Sequence, residues 1–224
     1  MDVQDYFENP VVEYSNNADQ RPGTELLLLL HGYGADELDL MGLAPHLPPH
    51  YTIASVRAPL RMYPGYTWYP LDPEFQTNPA DVVAAVTGLD RWVASQAETY
   101  TSITLLGFSM GMSMATSLAR MAPNRYKALV GLSGFAIDAA KAPEIAALFN
   151  DAALANRDPK LPMFWGRDQA DPVIRPELID YTHAWVQDHV DLTKVLYANM
   201  GHAICSQELA HINEYLQFLS SKQA

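Results

Sequence analysis

Ile103-Thr104-Leu105-Leu106-Gly107-Phe108-Ser109-Met110-Gly111-Met112-Ser113-Met114 is the stretch that decides the fold of this chain. An apolar run leads into Gly107-Phe108-Ser109-Met110-Gly111, and a run with helical spacing leads out until Pro123 stops it. The segment therefore reads as a strand over 102–108, a tight turn, and a helix over 111–121. The Gly-x-Ser-x-Gly pattern has a mechanical cause. A sharp strand-to-helix reversal holds the serine in a strained backbone conformation with its hydroxyl exposed, and the flanking glycines allow the close packing. An ordinary βα turn with an incidental serine is the competing reading, and the flanking strand and helix argue against it.

Working outward, residues 26–30 are leucine at every position, as in a strand buried on both faces of a parallel sheet. Further strands are expected at 52–56, 128–132, 162–165 and 192–198, and Val11-Val12 opens a short edge strand. Helices are expected at 79–98, 138–155 with Pro143 as an internal boundary, 176–189 and 204–219. Alternating strands and helices imply an α/β fold, a mostly parallel central sheet with helices on both faces. The connections leave no room for a large lid domain; residues 134–160 carry at most a small cap. A length of 224 residues and a hydrophobic fraction of 49% fit one domain over 1–224.

Lys+Arg 14 against Asp+Glu 26 gives a formal net charge of -12, which repels phosphate backbones and anionic lipid heads. Nucleic-acid binding and membrane insertion are thus disfavoured. A single cysteine, Cys205, allows no intramolecular disulfide, and a small buried thiol is the expected role for it. Met1-Asp2-Val3-Gln4-Asp5 lacks the basic start of a signal peptide, so a cytoplasmic protein is expected. The spacing of His, Cys and carboxylates suggests no metal site.

A serine hydroxyl needs a histidine base held by a carboxylate, and in an elbow of this kind the chain order is Ser, acid, His. Of the four histidines after Ser109, His183, His189 and His211 fall within expected helices, whereas His202 follows the last strand in Met200-Gly201-His202-Ala203. The acid should follow the penultimate strand, where Gly166-Arg167-Asp168-Gln169-Ala170-Asp171-Pro172-Val173-Ile174 offers two aspartates. Asp171 is preferred because an apolar run resumes beside it; Asp168 is the alternative, otherwise a turn residue or a partner of Arg167. Backbone N–H groups of Met110 and of Tyr33, in His31-Gly32-Tyr33-Gly34, are the expected oxyanion donors. His31 precedes the nucleophile and is read as structural, and Met112, Met114 and Met121 as core fillers or pocket walls.

These residues resemble the phospholipase/carboxylesterase family of α/β-hydrolases, which includes the acyl-protein thioesterases. The resemblance rests on Leu30-His31-Gly32-Tyr33-Gly34-Ala35-Asp36, Gly107–Gly111 with Ser109 at its centre, Asp171-Pro172-Val173-Ile174 and Gly201-His202, and it runs from about Leu26 to the C-terminus. It implies an ester hydrolase without metal or organic cofactor, with a catalytic Ser109, Asp171 and His202 and an oxyanion hole at Tyr33 and Met110. Gly65-Tyr66-Thr67-Trp68-Tyr69 resembles a family Trp-Tyr pair, which implies substrate-binding roles for Trp68 and Tyr69; core packing is the other reading of both. The acid loop departs from the pattern, because Asp171 stands five residues after Gly166 where the family commonly has three. The expected activity is hydrolysis of small or medium-chain carboxylic esters by a serine carboxylesterase. The alternatives are a thioesterase on acyl-protein or small acyl thioesters, and a binding protein that keeps the fold without turnover. The expected partner is a small-molecule ester.

Overall fold

Leu26 to Leu30 are each at most 1% exposed, and they divide between two cores. Leu26, Leu28 and Leu30 pack into one cluster, and Leu27 and Leu29 into the other, because side chains alternate across a strand. Burial of each leucine contributes about 1.5–3 kcal/mol, which fixes this strand at the centre of the molecule. The structure is a computed structural model and describes residues 3–72 and 76–221. Met1 and Asp2, part of the N-terminal reading above, lie outside the described residues.

The strands are β1 (Val12–Tyr14), β2 (Glu25–Leu30), β3 (Tyr51–Val56), β4 (Leu60–Met62), β5 (Gly65–Thr67), β6 (Ser102–Phe108), β7 (Ala128–Leu132), β8 (Leu161–Asp168) and β9 (Val190–Tyr197). The helices are α1 (Val3–Tyr6), α2 (Pro79–Gln96), α3 (Met110–Met121), α4 (Pro143–Leu148), α5 (Asp151–Ala155), α6 (Pro176–His189) and α7 (Ser206–Ser221). Seven strands form one sheet in the order β1-β3-β2-β6-β7-β8-β9, parallel throughout except for the antiparallel edge β1. Residues of α2, α3 and α6 fill the larger core on one face, and α7 covers the other. This is the α/β-hydrolase arrangement, with no large lid domain among the described residues.

Three expectations shift in detail. The stretch expected to be helical over 138–155 is broken into a 3-10 turn (Ala139–Lys141), α4 and α5. Pro143 opens α4, Phe149 turns extended, and the Asn150 side chain then caps α5 by accepting the Ala153 N–H. β8 runs on to Asp168, three residues beyond the expected end, and β9 starts at Val190 directly from α6. The small β4–β5 hairpin was not foreseen; it hydrogen-bonds to the 34–35 loop through Gly34 N–H to the Tyr66 carbonyl and Tyr66 N–H to the Ala35 carbonyl, each 2.8 Å.

One buried group makes the fold pH-sensitive. Glu208, on α7, is 0% exposed, and neither of its carboxyl oxygens has a hydrogen-bond partner among the described residues. It packs over Gly166, where an added Cβ would come within 2.1 Å of Oε1. Burial pushes its pKa up to about 8. The folded chain then keeps a proton that the unfolded chain releases above the ordinary carboxylate range, so stability falls as pH rises from about 4.5 to about 8. The slope approaches ~1.4 kcal/mol per pH unit inside that window. Thermal melts of Glu208→Gln are expected to lose this part of the fall. Parallel wild-type and variant curves between pH 5 and 8 would contradict it.

Candidate active site

Four of the strands deliver their carboxyl ends to one place. Ser109 follows β6 and stands before α3 with φ 54 and ψ -119, a left-handed strain for a non-glycine residue. The close packing that permits this turn is visible at its glycines. A Cβ on Gly107 would lie 2.3 Å from the Gly111 carbonyl oxygen, and one on Gly111 only 1.8 Å from that of Leu30. Ser109 is 8% exposed, and its Oγ lies 3.0 Å from His202 Nε2.

His202 sits in the loop between β9 and α7, against the Phe108 ring at 5.1 Å between centroids. Its Nδ1 is 2.9 Å from Asp171 Oδ2. The Asp171 carboxylate is 0% exposed, and its other oxygen accepts the backbone N–H groups of Val173 (2.8 Å) and Ile174 (3.2 Å). That turn fixes the carboxylate in its own loop while leaving Oδ2 for the imidazole. With Nδ1–H donated to the carboxylate, Nε2 faces the serine as an acceptor.

Asp168 is held elsewhere. Oδ1 accepts the Ala170 N–H at 2.7 Å, and Oδ2 accepts Met200 N–H together with Gly201 N–H at 2.8 Å. It therefore clasps the turn that carries His202, and Asn199 and Gly201 bend that turn with φ of 61 and 69. These N–H groups, with Arg167 nearby, hold its pKa below the usual carboxylate range. The sequence reading saw the local turn but missed the clasp on residues 32 and 33 positions downstream.

Tyr33 and Met110 both border a cavity of about 590 Å³ that contains Ser109 and His202. Neither backbone N–H has an acceptor among the described residues. Met110 is also the first residue of α3, where the helix dipole favours negative charge. The Tyr33 loop is braced from behind by His31, which is 0% exposed. Its Nε2 accepts the Ala58 N–H at 3.0 Å, so Nδ1 carries the proton and donates to the Gly32 carbonyl at 2.8 Å. Burial holds the His31 pKa below its ordinary value, which keeps this neutral tautomer.

Trp68 and Tyr69 do not line this cavity. Trp68 is 0% exposed and donates its indole N–H to the His31 carbonyl at 2.9 Å, in the core behind the loop. Tyr69 is buried with its hydroxyl 2.6 Å from Ser113 Oγ, and burial raises its pKa to about 12. Tyr69 does border a second cavity of about 500 Å³, which shares Leu71 and Phe135 with the first. Cys205 is half-buried and accepts the Glu208 N–H through Sγ at 3.4 Å, so the small buried thiol expected from sequence is corrected to a half-buried one that caps α7. Met112 and Met114 are core residues at 0% exposure. No group of three or more His, Cys, Asp and Glu is placed to hold a metal among the described residues. No described helix is long and apolar enough to cross a membrane.

The sequence profile described as phospholipase/carboxylesterase matches residues 12–220. The chain belongs to this family. It is accordingly a hydrolase of the ester-cleaving type. Solved structures share the family fold at low identity. The crystal structure of esterase PE8 is 23% identical with a TM-score of 0.77, covering 94% of this chain and 99% of that one. The Bacillus cereus carboxylesterase is 18% identical with a TM-score of 0.74, covering 96% and 99%. A phospholipase/carboxylesterase from Dyadobacter fermentans is 19% identical with a TM-score of 0.70, covering 93% and 97%.

Proposed function

We propose that the protein is a serine carboxylesterase that cleaves small or medium-chain carboxylic esters through an acyl-enzyme on Ser109. The observation that carries this reading is the unbroken chain from Ser109 Oγ to His202 (3.0 Å) and from His202 to a fully buried Asp171 (2.9 Å). His202 Nε2 takes the hydroxyl proton as Oγ attacks the ester carbonyl carbon. The N–H groups of Tyr33 and Met110 stabilise the oxyanion, each contributing about 3 kcal/mol. The imidazolium, oriented by Asp171, gives its proton to the leaving alcohol oxygen. A water then gives a proton to Nε2 and attacks the acyl-enzyme; collapse releases the acid and returns the proton to Ser109. Leu71, Phe108, Phe135 and Val173 supply apolar walls to the cavity, in keeping with an acyl group of modest length.

A fluorophosphonate probe is expected to form one adduct, at Ser109, in the folded protein. No adduct on a demonstrably folded chain would defeat the enzymatic reading in favour of a binding protein. The kcat/KM values for matched oxygen and sulfur esters are expected to favour the oxygen ester, and a large preference for the thioester would reverse the substrate assignment.

A further inference from the structure

Two arginines are buried among the described residues, and only one of them is answered. Arg120, with its side chain 0% exposed, donates Nε and Nη2 to Asp151 at 2.7 Å each and Nη1 to the Ile137 carbonyl at 2.6 Å. Arg167, near the end of β8, is 7% exposed, and its side chain makes no hydrogen bond or ion pair with any described residue. Its neighbour Lys194, on β9, rests over the Trp165 ring at 4.5 Å and likewise has no carboxylate partner among the described residues. Asp168 and Asp171 flank Arg167 in sequence, but their oxygens are committed to backbone N–H groups and to His202. Burial lowers the pKa of Arg167, and burial together with Arg167 lowers that of Lys194. Asp171 and Asp168 act on Arg167 only through space, and its guanidinium is left without a direct anionic contact among the described residues.

Arg167 borders a cleft of about 520 Å³ behind the acid loop, which shares only Val173 with the cavity that contains Ser109. Ala170, Pro172, Ile174, Pro176 and Ile179 give it apolar walls; Asp171 and Asp180 also border it without reaching ion-pair contact with Arg167. A planar guanidinium matches a carboxylate in two parallel hydrogen bonds, and a buried cation gains most from a paired anion. We propose that this cleft is a second ligand site, in which Arg167 holds the carboxylate of a short aliphatic acid whose tail lies against the apolar walls. Acids of this class are what ester hydrolysis releases. The site itself does not depend on that reading; only the identification of its ligand as the protein's own product does.

The test is butyrate binding to the full chain by calorimetry, after Ser109 has been blocked with a fluorophosphonate. Should Ser109 not react, the untreated chain is titrated, so that failure of the esterase reading is scored separately. Butyrate is expected to bind saturably, at least ~10-fold more weakly to Arg167→Gln, with Arg167→Lys between the two. Inorganic phosphate and chloride are expected to compete poorly. Equal affinity in wild type and Arg167→Gln would overturn the site, and competition by phosphate as strong as by butyrate would overturn its carboxylate character. Should Arg167→Gln fail to fold, a crystal of the wild-type protein at saturating butyrate decides the matter. Density for a carboxylate at the guanidinium supports the site, and its absence overturns it.

Discussion

Replacing Ser109 by alanine is expected to lower kcat by roughly four to six orders of magnitude and leave KM little changed. Oγ is the only atom removed, and it lies 3.0 Å from the proposed base at the floor of the cavity. The two proposed oxyanion N–H groups and the apolar walls stay in place, so substrate is expected still to bind and a residual rate over water to persist. His202→Ala is expected to cost about as much, and the double variant hardly more, because nucleophile and base act as one unit. Steady-state kinetics on a p-nitrophenyl ester checks all three. A loss below about 10-fold for Ser109→Ala would remove Ser109 from the mechanism, and additive losses in the double variant would show that Ser109 and His202 do not act as a unit.

The second large effect separates the two aspartates. Asp171→Asn is expected to lower kcat by roughly 10³–10⁴, since an amide no longer holds Nδ1–H toward it and the imidazole loses the tautomer that presents Nε2 to Ser109. Folding should change little, because the amide oxygen can still accept the N–H groups of Val173 and Ile174. Asp168→Asn is expected to do the reverse. It weakens the clasp on Met200 and Gly201, so melting temperature falls while the rate at low temperature drops far less. The pH dependence differs as well. Asp168 has a lowered folded pKa, so its stabilisation is present above the ordinary carboxylate range and is lost as pH falls through the lowered value. A damaging Asp168→Asn beside a harmless Asp171→Asn would reverse the acid assignment.

The sheet was readable because one interior strand, β2, carries five consecutive leucines and because Gly107–Gly111 demands a strand before it and a helix after it. Ser109 and His202 were readable for the same reason, as local patterns tied to the end of a strand. What escaped were relations without local periodicity. The β4–β5 hairpin has three residues per strand and no room to show alternation. Asp168 looked like a turn residue because its second oxygen is used by backbone far along the chain. Trp68 and Tyr69 show the limit of an aromatic pair, since sequence gives their bulk but not which side of the loop they fill. The sequence offered Asp168 as a partner for Arg167, and only the fold shows that carboxylate committed to backbone N–H groups instead.

Two of the cavity walls, Leu71 and Phe135, come from stretches of chain that carry none of Ser109, His202 and Asp171. Leu71 follows β5 and Phe135 follows β7, and neither makes a hydrogen bond to Ser109, His202 or Asp171, whereas Phe108 packs on His202 and Val173 donates its N–H to Asp171. Substitution at Leu71 or Phe135 is expected to reshape the cavity while Ser109, His202 and Asp171 keep their spacing. The chain is in that sense modular for change: under the proposed mechanism, substrate range can drift, or be redesigned, at these two loop residues with the proposed chemistry left in place.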